Sequence, residues 1–197
     1  MKKLLTALLA TAVLFTACSE KTTDDELVAA TALEFCTALS TLDFEALEML
    51  KNPGQADPFN FADAGLDDPV QQAALQLYTP FTSSAQVEII ATEINGDMAT
   101  VTLSITYTDI SEHTNIIAQN AQITAELGVL ELDDPTDLTS DAYMQLLADA
   151  YRFEAEKDIY PTKTTECTIM LTLVEDVWYI SSVENATLHA LLAGISL

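Results

Sequence analysis

Residues 87–107 read VEIIATEINGDMATVTLSITY. Ala99, Val101, Leu103, Ile105 and Tyr107 alternate there with Thr100, Thr102, Ser104 and Thr106. Period two over nine residues describes a strand with one buried face and one wet face. Val87 to Ile94 supplies the strand before it, and Asn95-Gly96 turns the chain. An Asn-Gly pair favours a two-residue turn, but the facing pattern argues against one. A two-residue loop at Asn95-Gly96 puts Val87 and Ile89 on the face opposite Val101 and Leu103, because a slip of one residue exchanges the faces. An odd-length loop brings Val87, Ile89 and Ala91 onto the face of Val101, Leu103 and Ile105. The expectation is therefore a three-residue loop with Gly96 at positive φ and a bulge beside it.

A second strand pair stands near the end of the chain. Cys167, Ile169, Leu171 and Leu173 alternate with Glu166, Thr168, Met170 and Thr172, and Trp178-Tyr179-Ile180 follows. A tight even-length turn at Glu175-Asp176 sets Leu173 beside Trp178 and Leu171 beside Ile180. Residues 165–183 are then the sheet partner of the first hairpin.

Helical spacing fills the remainder. Val28, Ala32, Phe35, Cys36 and Leu39 share one face of a helix capped by Asp24 or Asp25. Asp43 caps a shorter helix carrying Phe44, Leu47 and Leu50, ended by Asn52-Pro53-Gly54. Leu66-Asp67-Asp68-Pro69 starts a third, expected to stop before Pro80. Ser111 is read as the cap of a helix burying Ile116, Ile117, Ile123 and Leu127, with Gly128 as its left-handed stop. Thr139 or Ser140 caps another, with Tyr143, Leu146, Leu147, Ala150 and Tyr151 as its stripe. A short helix near Ala186–Leu192 ends at Gly194. Phe59 and Phe61, in the irregular stretch 52–66, are read as pins holding that loop to the core. The acidic residues around them lack the spacing of a calcium loop.

The chain has 197 residues, 31 acidic and 7 basic, for a net charge of −24, and 49% of it is apolar. That length suffices for one domain with a core. The charge repels nucleic-acid phosphates and anionic head groups, which excludes nucleic acid as a partner. Its first reading is a well-solvated surface.

Lys2 and Lys3 precede an apolar run from Leu4 to Phe15, then Thr16, Ala17 and Cys18. A basic region, a short apolar region and small residues make a signal peptide. The run is too short to span a bilayer permanently. Leu14-Phe15-Thr16-Ala17-Cys18 resembles the lipobox of bacterial lipoproteins, with Phe15 where Leu is commonest. The resemblance implies cleavage before Cys18 and acylation of that residue, by chains such as palmitate. Two or three acyl chains give stable anchoring. The expected organisation is a signal peptide over 1–17, the acylated Cys and a polar tether over 18–25, and one domain over 26–197.

The order of elements carries a second resemblance. Helices come first, then a pair containing Asn95-Gly96-Asp97-Met98-Ala99-Thr100-Val101. Further helices follow, then a pair ending Leu173-Val174-Glu175-Asp176-Val177-Trp178-Tyr179-Ile180. Over residues 26–183 this resembles small Gram-positive lipoproteins of unknown function with a nuclear-transport-factor-2-like, or cystatin-like cone, domain. The resemblance implies a curved antiparallel sheet wrapped around a long helix. The helical stretch from Ser111 to Lys157 exceeds what that superfamily needs, and such helices can fill or cover the concave face. The fold class expected is α+β, a curved antiparallel sheet of about four or more strands packed against several helices.

Chemistry-bearing residues are few. Cys36 and Cys167 remain after Cys18. They either pair as a disulfide, as leftover cysteines of exported proteins often do, or stay as two buried thiols. His113 and His189 lack ligand-like neighbours and read as surface or helix-end residues. No phosphate loop, serine elbow or Cys–His pattern is present. Tyr107, Tyr143, Tyr151 and Tyr179 are candidates by residue type alone. No catalytic residue, metal or cofactor is assigned. The expectation is a lipid-anchored module facing outside the cytoplasm, non-catalytic, binding an unknown protein or small molecule. A structural envelope protein without a ligand is the alternative, and a cone-fold enzyme is the remote one.

Overall fold

The computed structural model describes residues 23–53, 69–130 and 139–195. In chain order they form α1 (Asp24–Thr41), α2 (Phe44–Met49), α3 (Pro69–Gln76), α4 (Thr79–Thr82), β1 (Gln86–Asn95), β2 (Met98–Thr108), α5 (Thr114–Leu130), α6 (Ser140–Ala155), β3 (Thr162–Val174), β4 (Val177–Val183) and α7 (Asn185–Leu191). The α+β class is as expected. The sheet is a four-stranded antiparallel meander in the order β1-β2-β3-β4.

The first hairpin departs from the expected turn. Asn95 pairs with Met98, so the loop has two residues, Gly96 and Asp97. Gly96 is at φ 62 and Asp97 is not at positive φ, the φ signature of a II′ turn. The facing problem is solved inside β1 instead. Thr92 pairs with Val101 and Ala91 with Thr102, but Ile89 pairs with Leu103, so Ile90 is an extra, bulged residue. That residue returns Val87 and Ile89 to the inner face, opposite Ile105 and Leu103. Ala91, expected inside, is exposed with the outer set.

The second hairpin follows the expected pairing, with Leu173 opposite Trp178 and Leu171 opposite Ile180. Its turn places Glu175 at φ 50 and Asp176 at φ 66, the I′ form built without glycine or asparagine. β2 and β3 zip along their whole length, from Met98–Thr172 to Thr108–Thr162. Chain near the end of α2 extends the β4 edge: Ile180 N–H donates to the Leu50 carbonyl at 2.9 Å, and Lys51 bridges to Ile180 in parallel.

α1 begins two residues earlier than expected. Thr23 is its cap: the hydroxyl accepts from Glu26 N–H at 3.4 Å, and the Glu26 carboxylate accepts from Thr23 N–H at 3.1 Å. This reciprocal capping box satisfies two helix-end donors. Val28, Ala32, Phe35, Cys36 and Leu39 are buried as the spacing predicts. α1 lies across the inner face and touches all four strands. Asp43 caps α2 as expected, accepting from Ala46 N–H at 3.0 Å.

α3 ends at Gln76, before Pro80 as expected, and Pro80 is the second residue of α4, where proline needs no amide partner. Two helix ends depart from expectation. α5 starts at Thr114 rather than beside Ser111, and it runs past Gly128 to Leu130. Gly128 serves as a contact with α6, since a Cβ there would lie 3.2 Å from Leu146 Cδ2. Thr139 caps α6, and Gly194 at φ 82 ends the last helical turn as expected. The expected pins Phe59 and Phe61, and the cap at Asp67 or Asp68, lie outside the described residues.

Candidate functional site

A ligand-binding cone needs open space between the long helix and the sheet. Here that space is occupied. Phe35 and Leu39 of α1 meet Val101, Leu103, Ile105, Ile169, Leu171 and Ile180, all fully buried in one cluster. Trp178, Leu191 and Leu192 close its margins. A second cluster lies among α4, α5 and α6 and is centred on Phe81, Ile117, Ala121 and Tyr151. Aromatic rings meet edge to face there, Tyr78 with Tyr151 at 4.9 Å and Phe81 with Tyr160 at 5.5 Å.

Two buried carboxylates stand at the borders of these cores. Asp109, 3% exposed, follows β2 at the position where the strand's inward parity continues. Its Oδ1 accepts from Ser111 N–H at 3.0 Å, and its Oδ2 is ion-paired with Lys163. Burial opposes the charge, but those partners win and lower the Asp109 carboxyl to about 2. Gly194 packs directly on it, so that any Cβ there would collide with Oδ1. Tyr107 stands beside the pair, with its ring edge-on to His189 at 6.2 Å. Burial first, and then the Asp109 charge, raise the Tyr107 hydroxyl above its ordinary value, while Lys163 pulls it down.

The second carboxylate, Glu154, is 1% exposed in α6. It accepts from Lys157 Nζ at 2.6 Å and from the Tyr160 hydroxyl at 3.2 Å. Burial, then the Glu154 charge, push Tyr160 up to about 12. The His113 ring is edge-on to Tyr160 at 5.4 Å. Each cluster joins a carboxylate, a lysine and a tyrosine, and each oxygen of the two carboxylates accepts from a protein donor. That arrangement fastens segments together.

A surface groove of about 520 Å³ lies between α4 and α6. Leu77, Pro80, Ala148 and Ala155 give it apolar walls, and Arg152 and Glu156 stand at its rim. Arg152 donates to Asp149 at 3.1 Å and is mostly exposed. A second hollow of about 420 Å³ lies where α2 meets Tyr179 of β4.

The sequence-derived candidates fall in separate places. Cys18 lies outside the described residues. Cys36 and Cys167 are free thiols, both buried in the core between α1 and the sheet. Burial, and next the nearby Cys167, push the Cys36 thiol up to about 12. Burial also raises Cys167. Of the four tyrosines, Tyr107 stands beside Asp109, Tyr151 is in the second core, and Tyr179 borders the smaller hollow. Tyr143 is half-buried in α6. Sequence reasoning missed Asp109, Lys163, Glu154 and Tyr160. The continued parity after Tyr107, and the Glu154–Lys157 spacing of three, were the available signals. Among the described residues no cluster of three or more His, Cys, Asp or Glu forms a metal site, and no helix is long and apolar enough to cross a membrane.

No family model and no curated protein matches the chain. Among solved structures it is similar to YcdA of Bacillus subtilis, a protein provisionally described as a lipoprotein. The identity is 13% and the TM-score 0.40, over 87% of this chain and 59% of that one. The chain thus spans less than two thirds of that protein's length.

Proposed function

We propose that the chain is an extracytoplasmic lipoprotein, held to the bacterial cell membrane through acylated Cys18, whose domain binds a protein partner on its outer surface and catalyses nothing. The anchor reading is supported by Lys2-Lys3, the apolar run to Phe15 and the Thr16-Ala17-Cys18 ending. The binding reading is carried by one observation. The side chains of α1 occupy the inner face of the sheet, where a small apolar ligand of a cone fold would sit. Recognition then falls to the outside, where the α4–α6 groove offers apolar walls with a charged rim. The nuclear-transport-factor-2-like assignment is proposed on the order of elements and on α1 lying across all four strands. The same filled interior favours a second reading, a structural envelope protein with no ligand.

Mass spectrometry of the chain extracted from membranes tests the anchor. The expected N-terminus is Cys18 bearing a diacylglyceryl group, and Cys18→Ala abolishes cleavage and membrane retention. An uncleaved, unmodified Cys18 overturns the anchor. For binding, a photo-reactive residue at Ala148 should give one discrete adduct in intact cells, lost on Arg152→Glu. If photo-reactive residues at Ala148, Ser83 and Tyr179 all give no adduct, the structural reading stands.

A further inference from the structure

α5 has two apolar faces, and among the described residues only one is buried. Ile117 and Ala121 are buried in the second core, and Ala125 is buried on the same face. Ile116, Ile123 and Leu127, grouped by sequence with the core, and Leu130 beyond them are 55–76% exposed. With half-buried Asn120 they recur at spacings of four, three, four and three. That is the a/d spacing of a helix-pairing seam, with Ile116, Ile123 and Leu130 at d and Asn120 and Leu127 at a. The seam is also nearly free of charge. α5 carries one ionisable residue, Glu126, in a chain with 31 acidic residues.

We propose that this seam pairs with the same seam of a second copy, α5 against α5 in parallel about a two-fold axis. The charge pattern selects the occupant. Two copies of so acidic a chain repel wherever carboxylates face each other, and this stripe is a place where they do not. A basic partner gains nothing from an uncharged stripe and is drawn to the rest of the surface. A lipid surface is disfavoured, because interfacial helices carry Lys and Arg on their polar face and α5 has none. Asn120 selects the orientation. In a parallel pair the a position meets its own copy, so Asn120 hydrogen-bonds Asn120 of the second chain. In an antiparallel pair it faces an apolar d residue and is buried without a partner, which costs more. Seventeen residues make a helix of about 25 Å. A seam of that length lies at the small end of specific interfaces, so the pair is reversible and forms at high local concentration.

The test uses the full-length chain in detergent or in vesicles. Ile123→Cys and Leu130→Cys, each in a Cys36→Ser/Cys167→Ser background, should give oxidised dimers, and Gln122→Cys, on the polar side, should not. Sedimentation velocity should find a two-copy species at high concentration. Leu127→Glu, a change at an exposed residue, should weaken it at least tenfold with an unchanged circular dichroism spectrum. Cross-linking at Ile123 without Leu130 indicates the antiparallel pair and overturns the parallel one. A monomer at all concentrations, a trimer or tetramer, or a dimer indifferent to Leu127→Glu overturns the proposal outright.

Discussion

At the scale of single residues, Asp109 ties three distant segments. Its backbone N–H donates to the Pro161 carbonyl at 2.8 Å, its carboxylate holds Ser111 and Lys163, and Gly194 rests against it. Because its folded pKa is lowered, its contribution is full above the unfolded value of about 4 and is lost as pH falls toward 2. Lys163 is more than half exposed, so solvent screens the pair. Asp109→Asn is expected to cost about 1–2 kcal/mol at pH 7, read by urea unfolding. The difference from the parent should shrink between pH 4 and pH 2, and a difference independent of pH would contradict the ion pair. The thiols give a second prediction. Cys36 and Cys167 are protonated and buried at neutral pH, so maleimide should label neither in the folded chain and both after non-reducing denaturation. A mass 2 Da lower with no labelling would identify the disulfide alternative.

At the scale of elements, each turn carries its own consequence. Glu175 and Asp176 both adopt the left-handed conformation, which costs L-residues roughly 1–2 kcal/mol each. Glu175→Asn with Asp176→Gly is expected to stabilise the domain by about 1 kcal/mol, seen as a higher urea midpoint. The bulge predicts tolerance. Deleting Ile90 straightens β1 and keeps Val87 and Ile89 opposite Ile105 and Leu103. The fold should survive with a loss under about 1 kcal/mol, and loss of cooperative unfolding would contradict the register. The alternation of β2, and the pairing across Glu175-Asp176, were legible because polar and apolar residues there differ sharply. The bulge was not, because Ile89, Ile90 and Ala91 are all apolar and nothing marks the extra one. Gly128 was misread as a stop, since its missing side chain serves packing against Leu146 rather than a left-handed turn. The double face of α5 was hidden for a similar reason. Four isoleucines and leucines at helical spacing look like a single core stripe until the neighbouring helix shows that only Ile117 faces it.

At the scale of the whole molecule, charge and packing pull in opposite directions. A net charge of −24 over the chain sets carboxylate against carboxylate on the surface. Added salt screens this repulsion, with a Debye length of about 10 Å at 0.1 M. The melting temperature should therefore rise between 10 mM and 500 mM sodium chloride. A flat or falling response would mean that favourable pairs such as Lys163–Asp109 and Lys157–Glu154 outweigh the repulsion. The site was the least legible part. The Asp109 and Glu154 clusters depend on the β2–β3 register and on the packing of α6, and neither is encoded in a local pattern.

The contact of Gly194 with Asp109 sets a schedule for synthesis. Asp109 leaves the ribosome some eighty residues before Gly194 does, and Ile110 N–H waits on the Ala193 carbonyl for its 2.9 Å bond. At about 5–20 residues per second, the first hairpin and α1 are made seconds before the segment that seals them. Until that segment emerges, the β2 end and its buried carboxylate stay open to water. The β2 end therefore stays unsealed until Ala193 and Gly194 have been added.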